Sequence, residues 1–340
     1  MAFENGLAVS KSDFMNKFMN FITNLGTGSP FQTVYNSADG VNKMIIFSYT
    51  DPSNNQTVYF SWQIFEDNTD PELQTFLAHN VGYGYDTTLD IFNQPNSAYQ
   101  YGGIYTDNIG DTYVAKISLP VNQQFEYWFF SDNANYIYAV CKIDGLYYQH
   151  LGLGKLISID SYNPIYFTCG NIHPAYKYDT SYTTNYDFNG NLIVTIGNMN
   201  SGWFMEYDGI NYNFGTMNCE RNLGTNPYDS DILNTHFGLY FEDTTVQIDT
   251  NIPFKFWIDM VFYPFGVYVP VFISPVFYRV KDNFPPVGYA KDIYATSIDG
   301  IQPDTQITIG ADTYILFPHY SANLDNYYLT NVGIAIKKII

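Results

Sequence analysis

Thr57-Val58-Tyr59-Phe60-Ser61-Trp62-Gln63-Ile64-Phe65 decides the fold class. Val58, Phe60, Trp62 and Ile64 occupy every second position, with Tyr59, Ser61 and Gln63 between them. An extended chain points successive side chains to opposite sides, so this period of two puts the first set on one face and the second on the other. Upstream, the apolar run Met44 to Tyr49 is followed by Asp51-Pro52-Ser53-Asn54-Asn55, all turn formers. The two runs therefore read as arms of an antiparallel hairpin.

The same grammar recurs outward from there. Phe125 to Phe130 turns at Ser131-Asp132-Asn133-Ala134-Asn135 and returns as Tyr136 to Ile143, and Asp144-Gly145 then turns into Leu146 to His150. Ile193 to Ile196 follows a turn at Asn189-Gly190-Asn191, and Gln306 to Ile309 turns at Gly310-Ala311 into Asp312 to Phe317. Tyr327 to Leu329 and Val332 to Ile336 complete the series. The expectation is a mainly β protein of antiparallel, sandwich-like sheets. Two short helices are expected beside them. In the first, Ser12 caps a helix running to about Asn24, with Phe14, Phe18, Phe21 and Ile22 on one face and Gly26 past its end. In the second, Asp70 caps, Pro71 takes the first turn, Phe76 and Leu77 are buried, and Gly82 lies beyond the end. The reading divides the chain into a helical segment 1–28, a β-rich lobe 29–198, an Asn-, Gly- and Asp-rich seam 199–231 and a C-terminal β-rich lobe 232–340 that can be continuous with 29–198.

Composition limits what such a fold does. The 33 Tyr and 27 Phe suit pleated, half-buried surfaces. The net charge is −19, and the arginines are Arg221 and Arg279. No basic footprint for phosphates or anionic lipid is visible, so neither nucleic acid nor a membrane is an expected partner. The apolar stretch Ile252 to Val280 is interrupted by Pro253, Pro264, Pro270 and Pro275 and carries Lys255 and Asp259, so it reads as short strands rather than a membrane span. The 3 cysteines, Cys141, Cys169 and Cys219, are odd in number and widely spaced, which argues against a disulfide framework. The N-terminal residues lack a basic start and long apolar run, and synthesis in a cytoplasm is the expectation.

A search for chemistry returns fragments. Cys169 and His173 have ligand-like spacing without a completing pair, and His79, His150, His236 and His319 form no His-Glu-x-x-His motif. Gly152-Leu153-Gly154-Lys155 lacks the spacing of a phosphate loop and reads as a turn. Asp107-Asn108-Ile109-Gly110-Asp111 and Asp229-Ser230-Asp231 do not match a calcium loop. A pair of catalytic carboxylates among sugar-stacking aromatics would make a glycan-degrading enzyme, but the abundance of both singles out no pair. No catalytic residue, cofactor, metal or small-molecule substrate is assigned. The candidate site is an interface, the aromatic run Phe254, Phe256, Trp257, Phe262, Tyr263, Phe265, Tyr268, Phe272, Phe277 and Tyr278. Such a run is either internal core or the apolar centre of an obligate contact.

The hairpin Tyr127-Trp128-Phe129-Phe130 to Ile143, then Tyr147-Tyr148-Gln149-His150-Leu151-Gly152 and Tyr162-Asn163-Pro164-Ile165-Tyr166, is similar in order to virion structural proteins of tailed bacteriophages. Thr305 to Phe317 with Asp325-Asn326-Tyr327-Tyr328 resembles their closing hairpin. Where those relatives carry basic residues after the last hairpin strand, this chain has Pro318-His319-Tyr320. The resemblance implies a non-catalytic structural component of the neck (the head–tail connection) or tail. It would reside in the virion after synthesis in the bacterial cytoplasm, with copies of itself in a homo-oligomeric ring and other virion proteins as partners. The alternative is a carbohydrate- or receptor-binding virion module using exposed Tyr and Trp, Trp203 among them.

Overall fold

The structure is a computed structural model, and it describes residues 2–37, 43–66, 75–98, 116–119, 123–143, 145, 147–159, 163–170, 201–218, 232–236, 276–279, 286–297, 301–318 and 332–338. They form three sheets and one α-helix, confirming a mainly β fold of largely antiparallel strands.

The first sheet contains β2 (Phe31–Asn36), β3 (Met44–Thr50), β4 (Thr57–Glu66), β5 (Thr75–Gly82) and β6 (Lys116–Leu119), in that order. The central sheet has eleven strands. They are β1 (Ala2–Ala8), β7 (Phe125–Ser131), β8 (Tyr136–Ile143), β9 (Tyr147–Lys155), β10 (Ile157–Ser158), β11 (Ile165–Gly170), β12 (Ser201–Tyr207), β13 (Tyr212–Asn218), β14 (Ile232–His236), β15 (Val276–Arg279) and β16 (Pro286–Tyr289). Their spatial order is β1-β7-β8-β9-β11-β12-β13-β14-β15-β16-β10. Among the described residues only β13 and β14 pair in parallel. The third sheet is β17 (Ile293–Ser297), β20 (Val332–Lys338), β19 (Asp312–Pro318) and β18 (Gln306–Ile309).

Alternation in β7 and β8 stacks these sheets into layers. Phe125, Tyr127 and Phe129 with Ile137, Ala139, Cys141 and Ile143 join a core shared with β3, β4, β5 and the helix. The residues between them, Trp128, Phe130, Tyr136, Tyr138 and Val140, join a second core with Ile293, Ile315, Phe317, Ile334 and Ile336 of the third sheet. The central sheet is thus covered on both faces in this region. Helix α1 (Lys11–Asn24) fills the first seam. Phe18 stacks on Trp62 at 4.3 Å and meets Phe129 edge-on at 5.0 Å, bridging two sheets with one ring. Full burial of such a side chain stabilises by about 1.5–3 kcal/mol. Phe14 lies against Phe125 and Phe129, one turn earlier on the same face.

Four expectations are corrected. The helix is capped by Ser10, not Ser12: Ser10 is extended, its Oγ accepts from the Asp13 amide at 3.1 Å, and the Asp13 carboxylate accepts from the Val9 amide at 2.9 Å. Residues 2–8 of the segment expected to be helical are strand β1, because they ladder along β7. The second helix is absent from 75–82, which is strand β5. Leu77, His79 and Val81 oppose Ile64, Trp62 and Phe60 on the inner face, while Asn80 on the outer face lies under residues 83–98. In sequence Phe76-Leu77-Ala78 stand in a row and the polar His79 and Asn80 follow side by side, so the strand shows no period of two. The Asp70-Pro71 signal lies outside the described residues. Within the expected 199–231 seam, residues 201–218 form the β12–β13 hairpin, and the Asp208-Gly209-Ile210-Asn211 richness is its turn. No helix among the described residues is long and apolar enough to cross a membrane.

Candidate functional site

The sequence-derived interface divides unevenly. Phe254, Phe256, Trp257, Phe262, Tyr263, Phe265, Tyr268 and Phe272 lie outside the described residues. Phe277 and Tyr278 lie on β15, opposite Thr235 and Asn234 of β14, at a register shift toward β16. His173, His319, Asp107, Asp111, Asp229 and Asp231, and with them the second member of the Cys169–His173 fragment and the two acidic loops, also lie outside the described residues. Among the described residues no group of three or more His, Cys, Asp or Glu side chains is placed to hold a metal ion.

The Gly152-Leu153-Gly154-Lys155 stretch, read from sequence as a turn, is the end of β9. Its glycines serve close packing. A Cβ on Gly152 would lie 3.1 Å from the Tyr138 ring, and one on Gly154 only 2.1 Å from the Asn135 carbonyl oxygen. Gly154 also has φ of +144°, a conformation that side-chain-bearing residues rarely adopt.

Among the described residues, Lys155 leads to an extended polar cluster at the β3–β4 turn. Its Nζ lies 2.7 Å from Asp51 Oδ2, which also accepts from Tyr166 Oη at 2.7 Å. Asp51 Oδ1 accepts from the Ser53 amide and hydroxyl at 2.9 and 2.7 Å. Burial pushes the Asp51 carboxyl upward, but the bonds from Lys155, Ser53 and Tyr166 outweigh it and hold it below the usual carboxylate range. Burial, reinforced by Asp51, pushes the Tyr166 phenol up. Beside them Tyr49 donates to the Ala134 carbonyl at 2.9 Å, and Asp132 closes the β7–β8 turn by accepting from the Ala134, Asn135 and Tyr136 amides. With each Asp51 oxygen accepting two bonds, the cluster ties the β3–β4 turn to β9 and β11 of the central sheet.

A second tie holds the third sheet. Asp304 Oδ2 lies 2.7 Å from Lys142 Nζ and accepts from Tyr148 Oη at 3.0 Å. Each of two buried histidines crosses one seam. His79 Nδ1 lies 3.1 Å from Thr168 Oγ1 between the first and central sheets, and burial pushes its pKa down to about 3. His150 Nε2 donates to the Pro318 carbonyl at 3.0 Å between the central and third sheets; burial, only partly opposed by that bond, lowers it to about 4. Both are neutral at physiological pH, and each joins two layers.

What faces outward is of another kind. Tyr83, Tyr207 and Tyr212 cluster at the β12–β13 turn, with Tyr83 and Tyr212 stacked at 3.9 Å. Gln56 donates to the Tyr212 hydroxyl. Nearby on the first sheet, Tyr59 and Tyr85 pair at 4.7 Å. Among the described residues, apolar exposure falls mostly on edges and tips: Leu7 of β1 and Val9 just after it, Val34 of β2, Ile309 of β18 and Ile210 of the hairpin turn. Sequence reasoning missed the edge strand β1, whose only signal was the mixed run Ala2 to Ala8. Comparison with protein-family models and with curated proteins gives no match.

Proposed function

We propose that the chain is a structural component of a tailed-bacteriophage particle, placed in the neck or tail and acting through protein–protein assembly contacts rather than catalysis. The observation that carries this reading is the division of labour among its polar and apolar groups. Among the described residues, buried charges and histidines tie three sheets together, while three exposed apolar side chains, Leu7, Val34 and Ile309, lie on outer strands, where another chain adds by backbone pairing. The sequence resemblance of the Tyr127–Gly152 and Thr305–Phe317 blocks supports the same role. Particles purified from infected cells should contain the chain in stoichiometric amounts by mass spectrometry, and antibodies against it should label one fixed position on them. Its absence from intact particles ends this reading.

A carbohydrate-binding role is favoured by a separate observation, the partly exposed tyrosines 59, 83, 85, 207 and 212 beside amide side chains such as Gln56. It requires glycan-array binding that falls on Tyr85→Ala.

A further inference from the structure

A sheet edge carries a row of backbone N–H and C=O groups without ladder partners, and natural proteins blunt such edges by shortening, kinking, charging or covering them. Among the described residues, each of the three sheets ends in two outer strands, and five of these six are shorter than β1. Strand β10 has 2 residues, β6 and β18 have 4 each, and β17 has 5. Strand β2 has 6, but its register breaks between Thr33 and Tyr35. Strand β1 is different. Its 7 residues run in unbroken register along β7, from Ala2 opposite Ser131 to Ala8 opposite Phe125. It contains neither proline nor lysine, and its single charge is Glu4. That carboxylate turns back onto its own sheet, accepting from Tyr127 Oη at 2.8 Å. Leu7 is 49% exposed and Val9 66% exposed.

We propose that β1 is a homodimerisation edge: two copies pair through it, antiparallel, about a two-fold axis at Asn5, joining their central sheets. The strand is complementary to itself in that register. Asn5 faces Asn5, Glu4 faces Gly6, Phe3 faces Leu7 and Ala2 faces Ala8. The one charge meets a residue with no side chain, and each exposed Leu7 is covered by the partner's Phe3. Phe3 is held for this between Phe130, 5.2 Å away, and the Lys338 ammonium over its ring at 4.8 Å. An axis one residue earlier would set Glu4 against Glu4, and one residue later would centre the contact on two glycines. A second copy is the occupant because it brings this same complementary edge, and such an isologous contact closes at two. The contact deepens the assembly role proposed above and rests on that reading for its setting. Particle labelling and dimer measurement fail independently of each other.

The full chain tests it. Each copy carries a net charge of −19, so sedimentation velocity is run over a range of concentrations in raised sodium chloride to screen repulsion. A monomer–dimer equilibrium is expected, and Leu7→Lys should weaken it at least about tenfold. In a second measurement Asn5→Cys, on the axis where paired Cα atoms sit about 4.5–5.5 Å apart, should form a disulfide-linked dimer on mild oxidation. Glu4→Cys, off the axis, should cross-link no faster than the wild-type chain. Asn5 and Leu7 are exposed, and unchanged circular dichroism confirms that the variants fold. A monomer at every concentration overturns the proposal. So does a dimer that Leu7→Lys leaves intact and Asn5→Cys does not cross-link.

Discussion

Tyrosine explains much of how this protein uses its composition. A Tyr ring buries like a Phe, but its hydroxyl must reach a partner, so it serves best where an apolar layer ends against polar groups. Tyr49, Tyr127, Tyr148 and Tyr166 all do this, reaching the Ala134 carbonyl, Glu4, Asp304 and Asp51. The need for partners was legible in the residue counts. Which tyrosine meets which aspartate was not, because Tyr166 and Asp51 are 115 positions apart, and Tyr148 and Asp304 are 156 apart. The histidines behave similarly: the sequence shows no motif around His79 or His150, and only the fold shows one in each seam. Their depressed pKa values have a signed consequence. His150, lowered to about 4 when folded, contributes its full stability above the unfolded value near 6.5 and loses it as pH falls from there toward 4. The loss is on the order of 3 kcal/mol if the buried imidazole must charge in place. Gln in its place keeps a donor for the Pro318 carbonyl but cannot take up a proton. Urea unfolding between pH 7.5 and 4.5 should therefore show a shallower acid loss for His150→Gln than for the wild-type chain. Parallel curves would mean that His150 does not carry the dependence.

At the scale of elements, two-sided burial governed what could be read. Strand β4 shows its period because its outer face keeps Tyr59, Ser61 and Gln63, and it was identified from sequence with its hairpin partner β3. Strand β5 presents Phe76-Leu77-Ala78 in a row, because residues 83–98 cover its outer face, and a capping signal upstream then suggested a helix. Strand β9 depends on a local feature that looks like a turn. Gly154 combines a φ of +144° with an approach to the Asn135 carbonyl that leaves no room for a Cβ. Gly154→Ala should cost about 1–3 kcal/mol in backbone strain alone, before displacement of the 131–135 turn. Chemical denaturation should show a lower midpoint with little change in slope. A midpoint within error of wild type would show that the two strands separate there at no cost.

For the whole molecule, charge and layering pull in opposite directions. With 33 acidic against 14 basic residues, the folded chain repels itself, while the ion pairs at Asp51 and Asp304 sit partly or wholly within the body and are screened less. Added salt should therefore raise the thermal midpoint as the screening length falls from about 10 Å at 0.1 M to about 3 Å at 1 M. A midpoint that falls with salt would mean that local pairs outweigh the net repulsion. What the sequence determined by itself was local: the β class, the hairpins β3–β4, β7–β8 and β18–β19, and a helix with one aromatic face. Those follow from side-chain period and turn chemistry, which act over a few residues. Tertiary structure alone decided that the hairpins stack as three sheets, that Phe18 bridges two of them, that Ala2 to Ala8 becomes an edge strand, and that Lys155 meets Asp51. Those facts depend on pairing between distant segments, where burial on both faces erases the period and a partner's position is not encoded in any neighbouring residue.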